Sequence, residues 1–123
     1  MAVLVVDDDS ITQTIHKMLV KRQKLDVHVA ENGKEAIKMA TAGHNFNLIL
    51  MDMEMPVMDG LEATKALRQL GFTCKIVGIT SRDEPSDIQA FIEAGADKCL
   101  VKPLNTDKLK SILEEMGSTS GTK

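Results

Sequence analysis

An α/β domain, with a parallel five-stranded sheet covered by helices on both faces, is predicted by three observations. Short apolar runs alternate five times with amphipathic stretches along the 123 residues. The first, third and fourth runs are apolar throughout, as strands covered on both faces must be. Capping residues sit at the junctions, where helices need them. Strict alternation of strand and helix then implies parallel strands joined by right-handed crossovers.

Each element can be justified in turn. Val3 to Val6 form the first strand, a run too short for a helix and rich in β-branched residues. Ile11, Ile15, Met18 and Leu19 are spaced as one apolar face of the first helix. The second run, Val27 to Ala30, alternates through His28, which suits an edge strand. The helix after it, from about Lys34 to Thr41, rests only on Ala36, Ile37 and Ala40. Leu48 to Met51 form the third strand. Asp59 followed by Glu62 is a capping-box pattern opening the third helix, whose face is Ala63, Ala66, Leu67 and Leu70. Ile76 to Ile79 form the fourth strand. Pro85 suits the first turn of the fourth helix, which carries Ile88, Phe91 and Ile92. Cys99 to Val101, the shortest run, reads as the second edge. Asn105 caps the fifth helix, with Leu109, Ile112, Leu113 and Met116 on its apolar face. Gly43, Gly71 and Gly95 fall where C-terminal caps belong. Edges at runs two and five favour the strand order 2-1-3-4-5. Residues 1–116 are read as one domain and the small, polar stretch 117–123 as a flexible C-terminal tail.

Composition excludes several classes. Fifteen Lys and Arg against eighteen Asp and Glu give a net charge of −3, without a basic block, so a nucleic-acid footprint is not expected. No apolar run approaches the ~20 residues of a membrane span, and no charged-then-apolar leader opens the chain. Cys74 and Cys99 make no zinc pattern and read as free thiols of a reducing compartment, with a single disulfide left open. A cytoplasmic monomer, with nuclear entry open to it, is the default expectation.

In an open α/β sheet, ligands bind beyond the carboxyl ends of the strands, where strand order reverses. With order 2-1-3-4-5 that place lies between strands one and three. Strand one runs into Asp7, Asp8 and Asp9, strand three into Asp52, strand four into Thr80 and Ser81, and strand five into Lys102 and Pro103. Two carboxylates 4 Å apart cost about 4 kcal/mol at an effective dielectric near 20, so a cation is needed among them. Hard oxygen ligands without His or thiolate select Mg²⁺ or Mn²⁺ over zinc. A metal, the Lys102 ammonium and the Thr80 hydroxyl around open coordination positions suit phosphoryl transfer to a carboxylate nucleophile. Taken singly, each residue has a plainer reading: a turn-forming Asp, a strand Thr, a surface Lys. His16, His28 and His44 share no spacing and read as surface or edge residues. The case rests on the coincidence of all these residues at one end of one sheet.

In order and spacing, VLVVDDDS, LILMDMEMPVMDG, IVGITS and AGADKCLVKPL resemble the receiver domain of two-component response regulators, over residues 2 to about 116. The resemblance implies a flavodoxin-like (βα)5 doubly wound parallel sheet. It implies that Asp52 accepts a phosphoryl group from the phosphohistidine of a histidine-phosphotransfer protein or histidine kinase. Asp7, Asp8, Asp52 and the backbone carbonyl of Glu54 would hold Mg²⁺, with Mn²⁺ able to substitute. Thr80 and Lys102 would bind the phosphoryl oxygens, and the Lys102–Pro103 peptide would be cis. The stretch VGITSRDEPSDIQAFIEAGADKCLVKPL looks most like the receiver-only plant regulators of type C, and next like receivers of hybrid histidine kinases. For the former, a phosphate sink or phosphohistidine phosphatase without an output domain is implied.

Departures from the family pattern are informative. Many receivers carry Tyr or Phe where Cys99 stands, so aromatic-coupled switching is in doubt; Leu104 replaces a frequent Phe. Glu54 and Arg82, with Ser81 beside them, flank the expected path of attacking water, and an ion pair between the two is expected to tune the phosphoaspartate lifetime. The partner is expected to dock on helix one, around Gln13, Thr14 and Lys17. A remote alternative is a haloacid-dehalogenase-type phosphatase with Asp7 as nucleophile, which needs an acidic strand that the residues after Lys102 do not spell. A third is an interaction module that binds a phosphotransfer helix without chemistry. A Rossmann cofactor site is excluded, because no GxGxxG follows strand one.

Overall fold

A computed structural model describes residues 1–121. Its elements run β1 (Ala2–Val6), α1 (Ser10–Arg22), β2 (Asp26–Ala30), α2 (Gly33–Thr41), β3 (Leu48–Asp52), α3 (Gly60–Gln69), β4 (Lys75–Thr80), α4 (Pro85–Ala94), β5 (Lys98–Val101) and α5 (Thr106–Gly121). The five strands form one parallel sheet in the order β2-β1-β3-β4-β5, as the edge character of runs two and five requires. Among the described residues, no helix is long and apolar enough to cross a membrane.

Side-chain alternation divides the core between the two faces. Leu4, Val6, Ile49, Met51 and Ile76 meet Ala36 and Ala40 of α2, Ala63 and Leu67 of α3 and Phe91 of α4. Val3, Val5, Leu48, Leu50, Val77 and Ile79 meet Val20 of α1 and Leu109 and Ile112 of α5. The central strands therefore have no polar face to spare, and chemistry is confined to their ends. β5 is half-buried along its length, and β2 is so at its three middle residues, as edges should be.

Caps start the helices at Asp59 and Asn105 as the sequence predicts, and at Asp9 and Asn32, which the sequence reading does not mark. Asp9, Asn32, Asp59 and Asn105 accept from the backbone N–H three residues on, at 2.8–2.9 Å, and Asp59 with Glu62 completes a capping box. Pro85 occupies the first turn of α4. Gly43, Gly71 and Gly95 close α2, α3 and α4 with φ of 102°, 94° and 120°.

Three expectations need correction. Ile11, Ile15 and Met18 do not face the core; they are 70%, 49% and 49% exposed, and α1 buries His16 and Val20 instead. The helix carries two apolar stripes, and the spacing alone picked the solvent-facing one. His16 is accordingly a core residue rather than a surface one, and Leu70 is exposed at the end of α3. The α5 helix runs Thr106–Gly121, and the tail expected over 117–123 ends in residues 122 and 123, which lie outside the described residues.

The end of the sheet away from the acidic cluster is tied by charge. Arg68 of α3 donates to the carbonyls of Gly95, Phe72 and Cys74 at 2.8–2.9 Å and to Asp97 Oδ2 at 2.9 Å, and that oxygen also accepts the Ile76 N–H. Glu115 of α5 receives Lys75 and Lys98 at 2.9 and 2.7 Å. A lysine cannot reproduce the planar fork of Arg68. Arg68→Lys should therefore cost about 2–3 kcal/mol, measured by urea unfolding, because up to three carbonyls lose their donor.

Candidate functional site

The site forms where β1, β3, β4 and β5 end together. Register fixes this: Val6 lies opposite Met51, Asp52 opposite Ile79, and Thr80 opposite Val101, so the residues following each strand emerge on one rim. Carboxylate oxygens of Asp7, Asp8 and Asp52 all lie within 4.8 Å of one another. Asp7 and Asp52 are buried, at 1% and 6% exposure, while Asp8 faces solvent. Lys102 reaches in from the end of β5, with Nζ 3.2 Å from Asp7 Oδ2 and 3.0 Å from Asp52 Oδ1. Its peptide to Pro103 is cis, as the sequence leads one to expect.

One ammonium cannot neutralise three carboxylates. Burial, and then the charges of Asp7 and Asp8, push the Asp52 carboxyl up to about 6, against the pull of Lys102. Burial lowers the Lys102 ammonium, but its bonds to Asp52 and Asp7 outweigh that and leave it raised. At a separation of 4.8 Å, each uncompensated carboxylate pair costs about 3 kcal/mol at an effective dielectric near 20. A hard divalent cation fits this donor set of carboxylate oxygens on grounds of both charge and ligand type.

The other expected residues arrange themselves around this centre. Thr80 is fully buried; its hydroxyl accepts the Arg82 N–H at 3.0 Å and contacts Met53 Sδ at 3.8 Å. Ser81 is exposed just beyond the strand. Arg82 forms the expected ion pair with Glu54 at 2.6 Å and approaches Asp87 at 3.8 Å. Cys99 is half-buried opposite Gly78, and burial pushes its thiol up to about 11. Cys74 and Cys99 are both free. Asp9 turns away to cap α1 through Thr12, so the run of three acids supplies two carboxylates to the cluster.

Two contributors escaped the sequence reading. Gln13, expected to be exposed, is half-buried, and its amide donates to the Asp7 carbonyl at 2.6 Å, fixing the backbone of a cluster residue. The signal was its place one turn past the Asp9 cap. Met53 supplies a soft contact to the Thr80 hydroxyl, a role that no sequence pattern marks. In the loop joining β3 to α3, Val57 has φ of 71°, and the Met58 N–H donates to the Pro56 carbonyl at 2.8 Å. A β-branched residue at positive φ is strained, and such strain concentrates at functional loops.

Comparison with known proteins agrees with this geometry. Residues 3–114 match the family described as the response regulator receiver domain. The chain is 46% identical to Two-component response regulator 24 of Arabidopsis thaliana over 113 residues, covering 92% of this chain and 81% of that protein. It is 42% identical to Two-component response regulator ORR41 of Oryza sativa subsp. japonica, covering 90% of each. It is also 36% identical to the osmosensing histidine protein kinase SLN1 of Saccharomyces cerevisiae, but spans only 10% of that protein. Among solved structures, it resembles Thermotoga maritima TrrA in complex with Mg²⁺-BeF, with TM-score 0.82, 33% identity and coverage of 94% and 97%. It resembles as well a Saccharomyces cerevisiae co-crystal of the histidine phosphotransfer protein Ypd1 and the receiver domain of Ssk1, with TM-score 0.88, 29% identity and coverage of 98% and 90%.

The raised Asp52 carboxyl has a measurable consequence for stability. A carboxyl whose folded value lies near 6 favours the fold while protonated, and that advantage is lost as pH rises from about 4 through 6. Without divalent cations, Asp52→Asn should stabilise the protein by up to about 3 kcal/mol at pH 8 and by nothing at pH 3.5. Thermal unfolding across pH reads this out.

Proposed function

The chain belongs to the response regulator receiver family, and from that premise we propose that Asp52 accepts a phosphoryl group from a phosphohistidine with the help of Mg²⁺. The observation that carries this reading is the single Lys102 ammonium shared between Asp7 and Asp52 in a largely buried cluster of three carboxylates. Such a cluster is held in a state that a cation and a phosphoryl group would both relieve. Asp7, Asp8 and Asp52, with the Glu54 carbonyl, would hold Mg²⁺, and Mn²⁺ would substitute. The bound ion would neutralise the carboxylates and polarise the phosphoryl oxygens.

The protein's own residues do the rest. Asp52, ionised above pH 6, supplies a carboxylate oxygen as nucleophile. The P–O bond to Asp52 forms as the P–N bond to the donor imidazole breaks. Lys102 exchanges its contact with Asp52 for one with a phosphoryl oxygen. The Thr80 hydroxyl gives up the sulfur of Met53 for a second oxygen, a gain of one strong hydrogen bond over a weak one. Arg82 follows Thr80 through its N–H, and its pair with Glu54 stands over the water path. Losing either partner should change the lifetime of phospho-Asp52.

The donor would be a histidine-phosphotransfer protein or a histidine kinase, docking on α1. Ile11, Ile15 and Met18 form an exposed apolar stripe on the helix that starts just after the acidic residues, and single exposed apolar residues do not normally align in this way. Thr14 and Lys17 flank it, whereas Gln13 is turned to the site. Likeness to the two plant regulators over most of their length supports a phosphate sink or phosphohistidine phosphatase acting without an output domain. Likeness to the kinase SLN1 supports the second reading, a hybrid-kinase receiver that passes phosphate onward. The haloacid-dehalogenase alternative finds no support in the family match. The protein would act in the cytoplasm, with access to the nucleus, as a monomer.

Transfer from a labelled histidine-phosphotransfer protein, with Mg²⁺, tests the reading. Asp52 should take the label, and Asp52→Asn should take none; labelling of the variant would overturn it. Rapid release as free phosphate marks a sink, whereas lasting label marks a relay. In the same assay, Arg82→Ala and Glu54→Ala should alter the rate of label loss. Ile15→Asp should slow transfer from the protein donor about tenfold or more, and leave phosphorylation by phosphoramidate intact.

A further inference from the structure

Behind the site lies Phe91 of α4, the largest fully buried side chain among the described residues. Its ring lies flat on Gly78 of β4: a Cβ at Gly78 would stand 2.7 Å from two ring carbons and 2.9 Å from a third. The far edge of the same ring reaches Gly60, the first residue of α3, where a Cβ would stand 3.0 Å from the ring tip. Gly60 is itself pressed on the strand that bears the nucleophile, since a Cβ there would fall 2.0 Å from the Asp52 carbonyl oxygen. The ring thus spans from β4 to the start of α3, beneath two of the strand ends that build the site.

Both contacts lead to groups already placed in the chemistry. Gly78 and Thr80 lie on the same face of β4, two residues apart. Gly60 donates its N–H to the Met53 carbonyl at 2.8 Å, closing the loop that runs from Met53 to Asp59 and carries Glu54. Met53 packs in the same cluster as Phe91 and touches the Thr80 hydroxyl. Opposite Gly78, β5 offers only the small Cys99, which packs at the edge of that cluster, so nothing on β5 competes for the space that the ring fills.

We propose that Phe91 is a positioning residue for phosphoryl transfer, a wedge between Gly78 and Gly60 that seats the β3–α3 loop and the Thr80 row of β4. The proposal rests on the phosphoacceptor reading and deepens it. Gly78 is needed because the ring, in contact with the β4 backbone, leaves no room for a Cβ, whereas at Gly60 the Asp52 carbonyl excludes a Cβ first and the ring tip closes the remaining space. The ring and Gly78 are therefore a matched pair, and the match is what distinguishes positioning from simple filling of the core.

The experiment uses the full chain as wild type, Phe91→Leu, Gly78→Ala, the double variant Gly78→Ala/Phe91→Leu, and Ile112→Ala. Ile112 is fully buried on the opposite face of the sheet, so its loss controls for general destabilisation. Two quantities are read: Mg²⁺ affinity, from amide shifts of residues 52–60 during titration, and the rate of Asp52 phosphorylation by phosphoramidate. Phe91→Leu and Gly78→Ala should each weaken Mg²⁺ binding and slow phosphorylation by about tenfold, with metal-free amide shifts moved over Met53–Asp59. The double variant should recover to within about threefold of wild type, and Ile112→Ala should lower Tm while leaving both readings within about twofold. Equal losses in Ile112→Ala, unchanged readings in Phe91→Leu, or a double variant no better than Gly78→Ala would overturn the proposal. A wild-type chain that neither binds Mg²⁺ nor takes phosphate would instead overturn the phosphoacceptor reading, and the role of Phe91 with it.

Discussion

Three carboxylates crowd at the end of the sheet, where one ammonium bridges only Asp7 and Asp52, and the rest of the structure is organised around holding them there. Asp7 and Asp52 are buried, so neither can relieve the repulsion by turning to water. The fold keeps them in place by attaching each to a strand that is packed on both faces. Gln13 grips the carbonyl of Asp7, while the backbone N–H of Asp9 occupies the Asp7 oxygen that Lys102 does not touch. Lys102 comes from an edge strand, the element whose movement disturbs the core least. The cluster is thus a state of raised energy at the one place where binding a cation or a phosphoryl group lowers it.

Such a site needs support at a distance. Arg68, Asp97 and the Glu115 bridge tie the opposite ends of the strands, where no ligand competes for their charges. Each exposed ion pair contributes little by itself. Arg68 differs because its partners include three backbone carbonyls that water would otherwise have to satisfy. The division is physical: one rim of the sheet has its charges matched internally, and the other leaves them in excess.

Much of this was legible in the sequence because it depends on local rules. Strand and helix order follow from hydrophobic period, the edges from shorter or alternating runs, and the starts of the last three helices from Asp59, Pro85 and Asn105. The site followed from topology, since Asp7, Asp52, Thr80 and Lys102 each end a strand. What could not be read depends on which of two equivalent local patterns the tertiary structure selects. In α1, Ile11, Ile15 and Met18 satisfy helical spacing as well as the stripe through His16 and Val20 does, and only docking on the sheet chooses between them. In the run Asp7-Asp8-Asp9, composition cannot say which acid becomes a cap.

The position of the aromatic residue shows how one exchange changes the way a site can be wired. A ring on β5 would sit on an edge strand, half-exposed, able to turn between solvent and core without disturbing a helix. The ring here belongs to α4, is fully buried, and rests on two glycines, so it cannot turn unless α4 moves with it. Close-packed interiors have discrete arrangements rather than continuous ones. A shift of Thr80 toward a phosphoryl oxygen would be felt at Met53 and then at this ring, as a choice between keeping the helix seated and releasing it. With Cys99 rather than a ring on β5, the aromatic ring behind the site is held by α4 against the start of α3.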